Sequence, residues 1–129
     1  MEIHESAEDY LEMILILKER TGQVRSIDIA TEMNYSKPSI SVAMRKLREN
    51  GYIEVDKDGF ITLTKPGFEI ASNIYSRHKM LTRFFTALGV NEKTAAADAC
   101  KVEHDLSEET YEKIRIYAGD HLFNGAEDS

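Results

Sequence analysis

The amino-acid sequence predicts a mainly α-helical fold, with an N-terminal winged helix-turn-helix that includes a two-stranded β wing, followed by a helical domain. Three observations predict it. Two short helical patterns are joined by a tight turn, two β-type runs flank an Asp-Gly turn, and a helical pattern of more than twenty residues follows. A chain of 129 residues is long enough to bury a core and to hold a small module with a helical extension.

Negative charge is concentrated near the C-terminal end. Residues 1–91 carry 12 Lys and Arg against 13 Asp and Glu, whereas residues 92–129 carry 4 against 10. The formal net charge of −7 therefore leaves the N-terminal part nearly neutral and compatible with nucleic-acid binding. The single Cys100 excludes an intrachain disulfide, and the sequence has no secretory signal or apolar run of about 18 residues, so we expect a soluble cytoplasmic protein.

The first predicted helix covers residues 6–20, with Ser6 as its N-cap. Its apolar positions form a wide face, which predicts that the helix is well buried. Asp9 and Glu12 lie three residues apart and therefore on one face, close to the helix N-terminus. Two interpretations stay open: the carboxylates complement the helix dipole, or they are hard oxygen ligands for a metal ion.

A helix-turn-helix is predicted over residues 26–50. Ser26 is expected to cap the first helix, which ends at Met33, and Ser36 to cap the second, which ends at Asn50. In the second helix, apolar residues at i, i+3, i+4 and i+7 face inward, and hydroxyl and basic side chains occupy the opposite face. This pattern is typical of a recognition helix that enters the DNA major groove N-terminus first, and the alternative is a solvated basic face.

A β-hairpin is predicted directly after the recognition helix. Residues 52–55 and 60–63 form the two β-type runs, and Asp58-Gly59 is a strong turn signal between them. A hairpin in this position is the wing of a winged helix, with Lys57 at its tip near DNA phosphates despite the neighbouring aspartates. The residues expected to contact DNA are Arg25, Ser36, Lys37, Pro38, Ser39, Ser41, Val42, Arg45, Lys46 and Lys57.

A long connecting helix is predicted after the wing. Thr64 is its expected N-cap, Pro66 lies in its first turn, and the pattern continues to Gly89, a length of roughly 30 Å. His78 lies in the middle of this helix. A lone helical histidine is more often a surface or core residue than a metal ligand, so both interpretations remain for His78.

The next helix opens at Asn91 or Thr94 and contains a cluster of metal-ligating residue types. Cys100, Glu103 and His104 fall within one helical turn, so a helix would project a thiol, a carboxylate and an imidazole toward one point. This spacing favours a metal site. The alternative is an exposed polar helix face that happens to carry these residues.

A last helix is predicted to begin after Ser107 as its N-cap. Two short helices cannot bury all of its apolar side chains by themselves, which predicts that they form a dimer interface. The apolar positions are Tyr111, Ile114, Ile116, Tyr117, Leu122 and Phe123.

Taken in order, these segments resemble the diphtheria toxin repressor (DtxR/MntR) family of metal-dependent transcriptional repressors, in particular the short manganese-sensing form without an SH3-like domain. The resemblance covers residues 7–123. It is carried by Glu8-Asp9-Tyr10-Leu11-Glu12, Ser36-Lys37-Pro38-Ser39-Ile40-Ser41, the wing, Arg77-His78, Val102-Glu103-His104 and Leu106-Ser107. In that family the metal site is built from the first helix, the connecting helix and the helix that follows. The resemblance implies that the metal ligands here are Asp9, Glu12, His78, Cys100, Glu103 and His104.

The resemblance leaves the metal open, because the implied site combines two branches of the family. The manganese-sensing branch shares Asp9 but has glutamate at the position of Cys100, whereas the iron-sensing branch has cysteine there but methionine at the position of Asp9. Thr82 and Ala96 occupy ancillary-site positions of the iron-sensing branch and cannot bind metal. Carboxylates favour Mn(II) and thiolates favour softer ions, so we expect Fe(II) or Mn(II), with Co(II) or Zn(II) able to bind in vitro.

The resemblance implies a repressor of metal-uptake genes that binds a pseudo-palindromic operator in double-stranded DNA as a homodimer. Metal would hold the two recognition helices about 34 Å apart, which is one turn of DNA. The alternatives are a metal-independent winged-helix regulator and a protein-interaction adaptor. An enzyme is not expected, because the sequence lacks a nucleophile–base pair and a Gly-rich phosphate loop.

These expectations divide the chain into four parts. Residues 1–64 are the winged helix-turn-helix domain, residues 65–88 the connecting helix, residues 89–124 the metal-binding and dimerisation domain, and residues 125–129 a disordered tail.

Overall fold

The computed structural model describes residues 5–123, and the predicted tail lies outside them. In chain order, the elements are α1 (Glu5–Thr21), α2 (Ser26–Met33), α3 (Lys37–Glu49), β1 (Ile53–Val55), β2 (Ile61–Leu63), α4 (Lys65–Ala87), α5 (Glu92–Val102), α6 (Glu108–Tyr117) and a π-helical turn (Ala118–Leu122). The predicted fold class, mainly helical with a two-stranded wing, is confirmed. The chain divides into two compact units within α4, the first ending at Asn73 and the second beginning at Ile74.

Side-chain caps explain where several helices begin. Ser36 Oγ accepts a hydrogen bond from Ser39 N at the start of α3 (3.2 Å), and Ser107 Oγ accepts one from Thr110 N at the start of α6 (3.0 Å). Asn91 Oδ1 accepts from Lys93 N (3.0 Å), so Asn91 rather than Thr94 opens α5. These caps satisfy backbone donors that a helix N-terminus leaves without partners.

Two predicted helix starts were wrong. Ser6 lies inside α1, whose described part already begins at Glu5, so Ser6 is not an N-cap. Ser26 is the first residue of α2, and Arg25 is its N-cap, with extended backbone (φ −124°, ψ 164°). The reason at α2 is Asp28, whose Oδ2 accepts a hydrogen bond from Arg25 N (2.9 Å) and fixes the earlier start.

The core of the first unit joins α1 to the helix-turn-helix and the wing. Its fully buried side chains come from every element before α4, and α1 contacts α2, α3 and β2 directly. Tyr10 of α1 packs edge-to-face on Tyr35 in the turn between α2 and α3, with ring centroids 6.2 Å apart. The core side chains include Leu11, Ile14, Val24, Ile29, Ile40, Ile53 and Ile61. The recognition helix α3 therefore packs against α1 as well as against α2, the other helix of the helix-turn-helix.

The wing is a short antiparallel hairpin. Ile53 pairs with Leu63 and Val55 pairs with Ile61 across the two strands. The turn is closed by Asp56, whose Oδ1 accepts hydrogen bonds from Asp58 N and Phe60 N, each at 2.9 Å. Gly59 has φ +87°, a value that glycine adopts without strain, as the Asp-Gly signal predicted.

The start of α4 is fixed against the end of α3 and the wing. Thr64 Oγ1 accepts from Gly67 N (3.3 Å), as its predicted capping role requires, and donates to Gly51 O (2.7 Å). Gly67 lies so close to the backbone of Tyr52 that an added Cβ would be 2.0 Å from the Tyr52 carbonyl oxygen. Glycine is required here by this close approach.

The second unit has a small aromatic core. Met80 of α4, Tyr111 of α6, Ala118 and Phe123 are buried together, and Phe84 packs against them. Tyr111 and Phe123 are thus buried within their own chain, which corrects the prediction that they belong to a dimer interface. Ile116 and Tyr117 of the same segment remain exposed. Among the helices of the described residues, none combines the length and apolar character needed to cross a membrane.

Candidate metal centre and DNA-binding surface

Glu103 is the most deeply buried charged side chain of the candidate metal centre. Glu103 and His104 were predicted to lie on a helix with Cys100, but α5 ends at Val102. Glu103 is the C-cap and keeps helical backbone angles, and its N–H donates to Ala99 O (2.9 Å). Glu103 still projects its side chain as predicted, because the backbone of this first residue after α5 continues the helical path. The Glu103 side chain is 0% exposed.

Two imidazoles flank the buried carboxylate. His78 Nδ1 lies 2.9 Å from Glu103 Oε1, and His104 Nε2 lies 3.5 Å from Glu103 Oε2. The side chain of His104 is 2% exposed, whereas that of His78 is 27% exposed. His78 therefore reaches the cluster from α4 and is not the isolated surface or core histidine of the alternative interpretation.

The second carboxylate oxygen of Glu103 lacks a hydrogen-bond partner within residues 5–123. At 3.5 Å, its separation from His104 Nε2 is longer than an ordinary hydrogen bond. A buried oxygen without a partner costs about 1–3 kcal/mol, so such atoms in native proteins call for an explanation. A carboxylate with one imidazole nitrogen near each of its oxygens fits a divalent transition-metal ion, which uses these ligand types.

Cys100 adds a thiol to the same end of α5. It is exposed, and its Sγ lies within 4.8 Å of a Glu103 carboxylate oxygen, a separation compatible with two ligands of one ion. Within the second unit, the structure thus brings His78, Cys100, Glu103 and His104 to one place.

The other two predicted ligands belong to α1 of the first unit. Asp9 is half-buried and Glu12 is only 8% exposed, and both residues are charged types that are mostly found exposed. Their spacing of three residues places them on one helix face. The burial of Glu12 goes beyond a simple complement to the helix dipole, which requires no burial.

The role of Arg77 was not predicted from the sequence, where this residue counted only as part of a resemblance. Arg77 is 7% exposed, and its guanidinium contacts the chain between α5 and α6. Its Cζ lies 4.9 Å from the centre of the Tyr111 ring. Burial raises the pKa of the Tyr111 hydroxyl, and the positive charges of Arg115 and Arg77 oppose that rise. The available sequence signal was a charged residue next to His78 on a helix with a buried face.

A cavity of about 750 Å³ lies beside His78 within the second unit. Among the described residues, the charged side chains that line it are Lys79, Arg83, Lys93 and Glu92. Thr82 and Ala96 also line it, and neither offers the carboxylate or imidazole that a metal ion would need.

The predicted DNA-contacting residues are all exposed. Those of α3 and its cap form one surface, and Val42 is exposed although it is apolar. Arg25 lies over the Phe60 ring of the wing, with its Cζ 4.2 Å from the ring centre. Ser36 Oγ donates to Ser39 Oγ (2.9 Å), which orders the hydroxyls at the N-terminus of α3. This surface has the geometry of a recognition helix with a wing beside it.

A helix-turn-helix followed by a β hairpin defines a winged-helix DNA-binding protein. The N-terminal DNA-binding domain of the iron-dependent repressors matches residues 2–60, and their metal-binding and dimerisation domain matches residues 64–124. The chain therefore belongs to the iron-dependent repressor (DtxR/MntR) family of metal-dependent transcriptional regulators, which confirms the resemblance drawn from the sequence.

Relatives of known name agree with this family. An HTH-type transcriptional regulator of Methanocaldococcus jannaschii is 37% identical over 115 residues, covering 88% of this chain and 92% of its own. The transcriptional regulator MntR of Escherichia coli is 32% identical over 117 residues, covering 91% and 76%. A solved manganese-dependent transcriptional repressor in complex with manganese is similar with a TM-score of 0.80 and 29% identity, covering 88% of this chain and 52% of its own. The chain thus spans about half the length of that solved structure.

Proposed function

We propose that this protein is a metal(II)-dependent, DNA-binding repressor of metal-uptake genes, which acts in the cytoplasm as a homodimer on a pseudo-palindromic operator. Fe(II) or Mn(II) is the proposed corepressor. The observation that carries the proposal is Glu103, a fully buried carboxylate with one oxygen lacking a hydrogen bond within the described chain, placed between His78 and His104.

Six residues are the proposed ligands, four from the second unit and two from α1. His78, Glu103 and His104 supply imidazole and carboxylate, Cys100 supplies thiolate, and the α1 carboxylates complete the set as Asp9 and Glu12. A bound divalent ion supplies positive charge that offsets the mutual repulsion of these acidic groups. In the proposed mechanism, the carboxylates of Asp9, Glu12 and Glu103 repel one another when the ion is absent.

Ligands on α1 link the proposed metal centre to DNA binding. The helix α1 contacts α2 and α3 directly. An ion that fixes the position of Asp9 and Glu12 would therefore also fix the position of the recognition helix. In a homodimer, two recognition helices bind adjacent half-sites only when they are about 34 Å apart. The proposed effect of metal is therefore a population shift toward the DNA-competent arrangement, with no contact between metal and DNA.

The proposed metal follows from the donor types. Carboxylate oxygens favour Mn(II), and the Cys100 thiolate raises the affinity for Fe(II), Co(II) and Zn(II). The similarity of this chain to a solved manganese-dependent transcriptional repressor supports Mn(II) as one of the two candidates.

The test is fluorescence anisotropy on labelled DNA from upstream of the protein's own gene, measured anaerobically in chelator and then with Mn(II), Fe(II) or Zn(II). We expect tight binding only with metal. Glu103→Ala should lose the metal response, and Asp98→Ala, which removes an exposed carboxylate of the same helix, should keep it. Equal binding in chelator and in metal would instead support a metal-independent winged-helix regulator.

A further inference from the structure

Arg77 and His78 hold Glu103 from opposite ends. Arg77 Nη1 donates to the backbone carbonyl of Glu103 (3.1 Å), while His78 Nδ1 lies 2.9 Å from its carboxylate. These two neighbours on α4 thus fix both the backbone and the side chain of one residue. The side-chain direction of Glu103, including its Oε2, depends on this double contact.

The guanidinium also spans the whole connection between α5 and α6. The same Nη1 donates to Leu106 O (2.7 Å), and Nη2 donates to Glu108 Oε1 at the start of α6 (2.8 Å). The bonded carbonyls of Glu103 and Leu106 bracket His104. A planar guanidinium can make these contacts at once, whereas the point charge of a lysine cannot.

Burial of Arg77 costs desolvation free energy, although its hydrogen bonds are stabilising. Its Nε is buried and has no hydrogen-bond partner among the residues that the structure describes. A buried charged group with an unsatisfied donor is weak evidence for a role in stability alone, because a well-packed apolar side chain often does as well. The three hydrogen bonds from this one guanidinium to residues 103, 106 and 108 point instead to a requirement for geometry in the 103–107 segment.

We infer that Arg77 is a positioning residue for the proposed metal centre and couples that centre to α6. The inference rests on the proposed function and adds a residue that binds no metal itself. By holding the carbonyls on both sides of His104, Arg77 sets the directions in which Glu103 and His104 present their ligand atoms. Through Glu108 and the Tyr111 ring, it connects this arrangement to α6 of the dimerisation domain.

The test measures metal binding and local order in four variants of the full chain. Arg77→Met removes all three hydrogen bonds, and Arg77→Lys keeps the charge without the planar fork. Glu108→Gln weakens the ion pair from the exposed side. Glu112→Gln is the matched control, since it weakens a second glutamate–arginine pair of α6, that with Arg115.

Three readouts are used: Mn(II) and Co(II) affinity by competition with a chelating dye, the Co(II) absorption spectrum, and amide hydrogen exchange of residues 103–107 in chelator. Changes around metal ligands commonly weaken metal affinity by about ten- to a hundredfold, which is the loss expected for Arg77→Met. Its Co(II) bands should shift and its exchange should accelerate. Arg77→Lys should fall between this variant and the wild type, Glu108→Gln should lose affinity by a smaller factor, and Glu112→Gln should match the wild type.

The outcomes separate the two proposals. A folded Arg77→Met protein with wild-type affinity, spectrum and exchange overturns the role of Arg77 while the metal-binding function stands. If Arg77→Met does not fold, Arg77→Lys and Glu108→Gln decide, and wild-type affinity in both overturns it. A wild-type chain that binds neither ion overturns the proposed function, and the positioning role falls with it.

Discussion

The buried carboxylate of Glu103 suits a bound metal ion but lowers the stability of the metal-free protein. We predict that Glu103→Gln leaves the metal-free protein as stable as the wild type or more stable by up to about 1–3 kcal/mol, because it removes an uncompensated buried carboxylate oxygen. The same change should abolish the rise in Tm that metal produces. Thermal unfolding followed by circular dichroism, in chelator and with Mn(II), measures both effects.

Asp98→Asn is the control for this prediction, since it makes the same chemical change at an exposed position of α5. A Glu103→Gln protein whose Tm rises with Mn(II) as much as the wild type would contradict the ligand assignment.

Cys100 is the residue that should decide metal preference. Cys100→Ser replaces a soft thiolate by a poor ligand, so we predict a larger loss of affinity for Co(II) and Zn(II) than for Mn(II). In the wild type, Co(II) should give a near-ultraviolet charge-transfer band from the thiolate, and the variant should lack it. Equal losses for all three ions, or a band that persists, would mean that Cys100 is not a ligand.

At the scale of elements, the junction between the wing and α4 depends on Gly67. An added Cβ would lie 2.0 Å from the Tyr52 carbonyl oxygen, and neither backbone can move without disturbing α4 or the segment that leads into β1. We predict that Gly67→Ala lowers the free energy of unfolding by about 1–3 kcal/mol, as overpacking commonly does. Urea unfolding followed by circular dichroism measures it.

Gly119 provides the comparison for Gly67. It also lies in a helical segment, and a Cβ there would meet nothing within 4 Å. Gly119→Ala should therefore be neutral or stabilise by up to about 1 kcal/mol, because it reduces the entropy of the unfolded chain. Equal destabilisation by both substitutions would show that the clash at Tyr52 is not the cause.

Elements whose signals are local were predictable from the sequence. Ser36, Thr64 and Ser107 each cap the helix that follows them, and the Asp-Gly turn closes the wing. The side chain of Asp28 shifted the start of α2 by one residue, because a cap can be closed from inside the helix as well as from its first residue. The sequence alone could not reveal such a competition between neighbouring caps.

Features that depend on tertiary contacts were not predictable. In its local sequence, Arg77 looks like an ordinary polar helix residue. Its hydrogen bonds to carbonyls 26 and 29 residues away in the sequence exist only in the folded chain. The same holds for Gly67, whose constraint comes from Tyr52. The predicted metal ligands of the second unit could be named because their residue types are chemically distinctive, whereas the residue that supports them is not.

On the scale of the whole molecule, net charge and local charge make opposite predictions for DNA binding. The chain carries a formal charge of −7, which alone would repel DNA, while α3 exposes Arg45, Lys46 and Arg48. If the local surface governs binding, Arg45→Ala should weaken binding in saturating Mn(II) and reduce the slope of log affinity against log salt. The expected reduction is about 0.9 for each lost phosphate contact, hence about twice that for a homodimer.

Lys113→Ala changes the net charge by the same amount from an exposed position on α6. Because screening limits the reach of a surface charge to about 8–10 Å at moderate salt, this variant should bind DNA with wild-type affinity and slope. Anisotropy titrations of both variants at several salt concentrations compare them directly. Equal losses in the two variants would mean that overall charge governs binding, and the assignment of α3 as the DNA-contacting surface would then lose its support.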